Sequence, residues 1–176
     1  MSNEAQKQFP VFVTGTVVHG FGRGSKQLGF PTANIDEKAV NDVFKAETAG
    51  VYFGWAQLLR KDSGAEPKQA EEVVPFVMSL GWNPYYQNER RTMEVHILRK
   101  YEEDFYGEQL KVAIVGHIRD ERNFDSLDAL IAAINADIDY ARVELAKPEL
   151  EAYKKHAFFT ATPSPSSLSL SSPLSS

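Results

Sequence analysis

Residues 19–34 run HGFGRGSKQLGFPTAN and crowd four glycines, Gly20, Gly22, Gly24 and Gly29, around Arg23 and Lys26. Glycine backbone reaches positive φ and lets a ligand come close, so successive N–H groups can converge on an anion while the cations neutralise it. That is phosphate-binding chemistry. The segment departs from both familiar phosphate loops: Gly24-Ser25-Lys26-Gln27 lacks the Gly-Lys-Ser/Thr order, and Ser25 stands where a dinucleotide fingerprint needs a third glycine. A flexible turn between strands accounts for the same glycines. Thr32 and Asn34 follow, on one face of an extended segment, so a hydroxyl and a carboxamide oxygen can aim at one point. Neutral hard oxygens suit a magnesium ion that keeps most of its waters and is also held by substrate phosphates. They equally suit a turn closure.

Glu94 lies inside the run 91–99, sharing a face with Thr92 and His96 opposite Met93, Val95 and Ile97. Glutamate is a poor strand former. On a pocket wall it can act as a general base; facing water it is a solvated side chain. Trp82, Tyr85, Tyr86, Phe105, Tyr106 and Phe124 can stack on a planar ligand, or fill a core. The four histidines, His19, His96, His117 and His156, are dispersed at spacings that make no metal site, and no Gly-x-Ser-x-Gly elbow occurs.

These side chains need a scaffold, and 176 residues allow one domain of ordinary size. Hydrophobic residues at 43% and charged residues at 24% are near globular averages, which excludes wholesale disorder. A net charge of -5 argues against a chain that grips nucleic acid through its phosphates. The absence of cysteine excludes disulfides, zinc-thiolate sites and a thiol nucleophile. The polar start MSNEAQKQFP and the lack of about 18 consecutive apolar residues predict a soluble, unsecreted, cytoplasmic protein, with an organelle-associated pool left open.

Period-two alternation predicts strands over 11–17, 30–35, 50–59, 73–82, 91–99 and 109–118. No βαβ rhythm interrupts them, so an antiparallel barrel or sandwich is expected. The loop 60–72, RKDSGAEPKQAEE, should be a hairpin connection with an insertion. Leu127, Leu130, Ile131, Ile134, Ile138, Ala141 and Leu145 then recur at helical spacing, with Asp125 as expected N-cap, Asp128 at the third position, and Pro148 beyond the end. This helix should lie on the outside or the open end of the barrel. Residues 1–159 are expected to form the domain and 160–176, almost all Ser, Pro, Leu, Thr and Ala, a disordered tail.

In this order the runs VVHGFGRGSKQLGFPTANI, GVYFGWA, SLGWNPYY, MEVHILRKYEEDFYGEQLKVAIVGHIR and NFDSLDALIAAINADI closely resemble the monofunctional riboflavin kinases (flavokinases) of eukaryotes, and the KHAFF ending at 155–159 resembles fungal members. The resemblance implies a six-stranded antiparallel Greek-key barrel with one long C-terminal helix. It also implies transfer of the ATP γ-phosphate to the riboflavin 5′-hydroxyl, giving FMN and ADP. By the same resemblance Gly20, Gly22, Gly24 and Lys26 arch over the nucleotide phosphates, Thr32 and Asn34 hold magnesium, with zinc the alternative, and Glu94 is the catalytic acid-base group. Tyr106 falls at a nucleotide position, and Ile97, Arg99, Arg119 and Phe124 at flavin positions. ATP and riboflavin are the expected partners of a monomer, without nucleic acid or membrane insertion, and FAD synthesis is expected of another protein. The rival readings are a non-catalytic flavin-binding barrel and an oligonucleotide-binding barrel, the second disfavoured by the charge.

Overall fold

Alternating inward and outward residues close into a barrel. The computed structural model describes residues 9–18, 32–43, 49–60, 72–82, 91–100 and 105–160. Six strands, β1 (Val11–Val18), β2 (Thr32–Ile35), β3 (Gly50–Leu59), β4 (Val74–Trp82), β5 (Arg91–Ile97) and β6 (Gln109–Arg119), pair in the order β1-β2-β5-β4-β3-β6 and return to β1. Every pairing is antiparallel. Ala33 and Ile35 of β2, Phe76, Met78 and Leu80 of β4, and Met93, Val95 and Ile97 of β5 point inward into one buried cluster. Their neighbours Thr32, Asn34, Ser79, Glu94 and His96 therefore face outward.

β3 is buried from Gly50 to Leu58 and β6 from Leu110 to Val115, which is why both faces of these stretches are mostly apolar rather than alternating. A second core explains this. The outward residues Phe53, Trp55, Ala113 and Val115 are covered by Ile138, Ala141 and Leu145 of helix α2 (Leu127–Leu145) and by Phe159. The chain then continues through α3 (Pro148–Glu151), a 3₁₀ turn (Ala152–Lys155) and α4 (Ala157–Thr160) across the same flank. The Trp55 indole N–H donates to the Leu150 carbonyl at 3.0 Å, and Lys111 Nζ donates to the Phe158 carbonyl at 2.7 Å. Burial pushes the Lys111 pKa down.

The expected helix is present outside the barrel, with one change at its start. Ser126, not Asp125, is the N-cap: its backbone is extended and its hydroxyl accepts the Ala129 N–H at 3.0 Å. Either residue type can cap, and the cap falls to the side chain that reaches the third helical amide. β5 ends at Ile97 rather than 99, because the Arg99 N–H turns back to the Ile97 carbonyl at 2.8 Å. A short helix, α1 (Glu37–Val43), had no sequence signal, being under two turns. Asp36 fixes it: one carboxylate oxygen accepts the Thr16 N–H at 2.7 Å and the other the Ala39 N–H at 3.1 Å. The antiparallel β3–β4 pairing agrees with the hairpin expected around 60–72, most of which, like the tail apart from Thr160, lies outside the described residues. None of the helices among the described residues is long and apolar enough to cross a membrane.

β3 and β6 shift register between Phe53 and Gly54, and a Cβ built on Gly54 runs into the Ala113 carbonyl. The neighbour is backbone, so it cannot swing aside. Gly54→Ala should lower the free energy of unfolding by about 2 kcal/mol or more in urea denaturation, whereas a parent-like midpoint would show that this close approach is unimportant.

Candidate active site

The register of the barrel lays two rows of side chains across its outer face. In one, Asn34 stands opposite Glu94, Glu94 opposite Ser79, Ser79 opposite Val51, and Val51 opposite Arg119. In the next, Thr32 stands opposite His96, His96 opposite Val77, and Val77 opposite Phe53. Directly opposed residues hold their Cβ atoms about 4.5–5.5 Å apart. Thr32, Asn34, Glu94 and His96 are thus the corners of one small patch, and Thr32 Oγ1 lies 3.3 Å from His96 Nδ1. Burial lowers the His96 pKa to about 4, so the ring is neutral at physiological pH.

A cavity of about 290 Å³ opens beside this patch, between the β3-β4-β5 face and α2. Its barrel wall includes Val51, Val77, Ser79, Glu94 and His96; its helix wall is Leu127, Leu130, Ile131 and Ile134. The apolar stripe of α2 is therefore divided. Its second half, from Ile138 to Leu145, packs on the barrel, while the first half faces the cavity and Leu127 stays 48% exposed. Periodicity alone cannot separate a packing stripe from a ligand-facing one.

The rim is polar and tightly tied. Arg119, at the end of β6, donates from Nε to one Asp137 oxygen at 3.0 Å and from an Nη to the other at 2.9 Å. The Arg119 and Arg122 guanidinium carbons lie 5.4 Å and 5.2 Å from the centre of the Phe124 ring. The Ser79 hydroxyl donates to Glu121 at 2.8 Å, joining the loop after β6 to β4.

Of the residues singled out by sequence, Thr32, Asn34 and Glu94 come together, and Glu94, Arg119 and Phe124 line the cavity. Ile97 does not. The pleat sends its side chain into the barrel, where it is fully buried. Arg99 is exposed just past β5, and Tyr106 is 47% exposed on the turn before β6; neither lines the cavity. Gly20, Gly22, Gly24 and Lys26 lie outside the described residues, although β1 ends at Val18 directly opposite Asn34. Ser79, Glu121, Arg122 and Asp137 were missed. Asp137 carried a signal, a charge three residues after Ile134 and four before Ala141 on the apolar stripe. Among the described residues no group of three or more His, Cys, Asp or Glu side chains is placed to hold a metal.

The family model for riboflavin kinase (flavokinase) matches residues 7–145. The chain belongs to the riboflavin kinase family. Human riboflavin kinase is 48% identical over 153 residues, covering 87% of this chain and 92% of the relative. The riboflavin kinase of the yeast Meyerozyma guilliermondii is 41% identical over 170 residues, covering 86% and 93%. Among solved structures, riboflavin kinase from Trypanosoma brucei superposes with a TM-score of 0.70 at 31% identity, covering 88% and 92%. These riboflavin kinases match in length as well as in sequence, and the barrel with its C-terminal helix is the fold the resemblance implied.

A histidine whose folded pKa falls from 6.5 to about 4 resists protonation in the fold. Its contribution is complete above about pH 6.5 and is lost as pH falls toward 4, an effect of roughly 3 kcal/mol. The unfolding free energy of the parent minus that of His96→Asn, measured in urea, should shrink by that amount between pH 7 and pH 4; a pH-independent difference would contradict it.

Proposed function

We propose that this chain transfers the terminal phosphate of ATP to the 5′-hydroxyl of riboflavin, giving FMN and ADP, with Glu94 as the base. The observation that carries the reading is the place of Glu94. On one side, across β2, stand the Thr32 and Asn34 oxygens; on the other, across β4, the apolar cavity opens. A nucleotide on the first side and a flavin on the second meet at one carboxylate.

Phosphoryl transfer asks the protein to align two substrates and to stabilise charge on the transferred oxygens. The flavin ring is assigned to the cavity, against Phe124, Leu130 and Ile134, with Arg119 at the rim. Its ribityl chain then runs toward Glu94. The carboxylate takes the 5′-hydroxyl proton as the new oxygen–phosphorus bond forms, while the bond to the β-phosphate bridging oxygen breaks and ADP leaves with the electron pair. The segment from Gly20 to Lys26, which lies between β1 and β2 in sequence, is assigned to the phosphates on the family motif. Tyr106 is assigned to the nucleotide and Arg99 to the flavin on the family motif alone.

The donor set at Thr32 and Asn34 fits a divalent cation, magnesium with zinc as the alternative, since both side chains offer neutral oxygen from one face of β2. When bound there with the nucleotide, the ion neutralises phosphate charge. The acting unit is taken to be a monomer on the resemblance alone.

Incubating the purified protein with riboflavin, ATP and magnesium should give FMN and ADP in equal amounts by chromatography, and riboflavin recovered unchanged would end this reading. Glu94→Gln keeps the shape but cannot accept the proton. It should lower kcat by at least about 100-fold and leave riboflavin affinity within about threefold; undiminished turnover would remove Glu94 from the chemistry.

A further inference from the structure

Asp137 sits in the middle of α2 with its side chain only 6% exposed, paired to an Arg119 that is 19% exposed. Aspartate is a mediocre helix former, and two buried charges lose so much hydration that an apolar pair of similar size often gives equal or greater stability. Stability alone is therefore a weak reason for this pair. Its geometry offers a better one. Both carboxylate oxygens are used, on Nε and an Nη of the same guanidinium, at 3.0 Å and 2.9 Å. A two-point contact fixes the plane of the group, which a single contact leaves free to rotate. With that edge held, and an Nη donating to the Asp120 carbonyl at 3.4 Å, the guanidinium can present a face to Phe124. The Asp137 charge also offsets Arg119, allowing the second cation, Arg122, to approach the same ring at 5.2 Å.

We propose that Asp137 is a positioning residue for flavin binding: by locking the plane of Arg119 it sets Phe124 as a fixed wall of the cavity. The inference rests on the assignment of the flavin to this cavity. α2 then shapes the binding site through an ion pair as well as through its apolar side chains, and Arg119 acts on the flavin while remaining bound to Asp137.

The test uses the full chain. Asp137→Asn keeps the size and one acceptor oxygen but loses the charge and the two-point contact. Its KM for riboflavin should rise roughly tenfold, with kcat and the KM for ATP within about twofold of the parent. A merely structural role would lower stability without this split. In the parent, the Arg119 Nε–H resonance should stay slow to exchange with solvent before and after riboflavin is added, and this second measurement decides the matter if Asp137→Asn does not fold. A folded Asp137→Asn with parent-like riboflavin KM, a fall in kcat in place of a rise in KM, or loss of the Arg119 signal on adding riboflavin would each overturn the proposal while leaving the kinase reading intact. A parent that binds no riboflavin would overturn both.

Discussion

The site depends on one register. β2 and β5 pair so that Asn34 faces Glu94 and Thr32 faces His96, all on the outer side of a barrel whose inner side is packed with Ala33, Met93, Val95 and Ile97. Side chains alternate strictly along a strand, so slipping β5 by one residue would send Glu94 into the core and bring Met93 or Val95 out to water. The cost of burying a carboxylate among those residues, added to that of exposing the apolar ones, makes the slip prohibitive. The same hydrophobic packing that closes the barrel thereby places a carboxylate beside two neutral oxygen donors.

Much of this was legible in the sequence. Glu94 among Met93, Val95 and Ile97 is a polar residue in an alternating strand, and Thr32 and Asn34 flank Ala33 in the same manner. Their shared face follows from period two alone. That they lie on adjacent strands does not, because β2 pairs with β5 across 55 intervening residues, and alternation says nothing about which strand meets which. The resemblance supplied that link. The polar rim was beyond reach for a different reason: the Ser79–Glu121 and Arg119–Asp137 contacts join the loop after β6 and α2 to distant strands, and no local pattern encodes such pairings. For Ile97 the alternation itself sends the side chain inward.

Helix α2 serves two requirements with one stripe. Ile138, Ala141 and Leu145 anchor it on Phe53, Ala113 and Val115, while Leu127, Leu130, Ile131 and Ile134 hold the cavity open. A helix anchored along only half its length would pivot. Two kinds of contact oppose this: the Arg119–Asp137 pair at the boundary between the two halves, and the run of α3, the 3₁₀ turn and α4 beyond its C-terminus, fixed by Trp55 to Leu150 and Lys111 to Phe158. The pair at the boundary is well placed, since it ties the helix to the end of β6 where packing gives out.

The open half of the stripe has an energetic consequence. Leu127 remains 48% exposed, and apolar surface left facing a wet cavity forgoes about 25 cal/mol for each Å² that burial would contribute. The empty protein is accordingly less stable than the same helix packed fully down. Full packing would eliminate the cavity, however, so the deficit is intrinsic to binding. A planar apolar ligand that covers these side chains recovers part of the deficit, and any ligand that prefers the folded chain stabilises it by mass action. Apolar contact of this kind holds the ring but does not distinguish ground state from transition state. On the proposed reading, rate comes from the other end of the cavity, where a carboxylate, two neutral oxygens and a neutral imidazole are fixed by strand pairing rather than by the helix. The proposed division of labour, a helix that binds and a sheet that reacts, matches which elements the register can hold rigid.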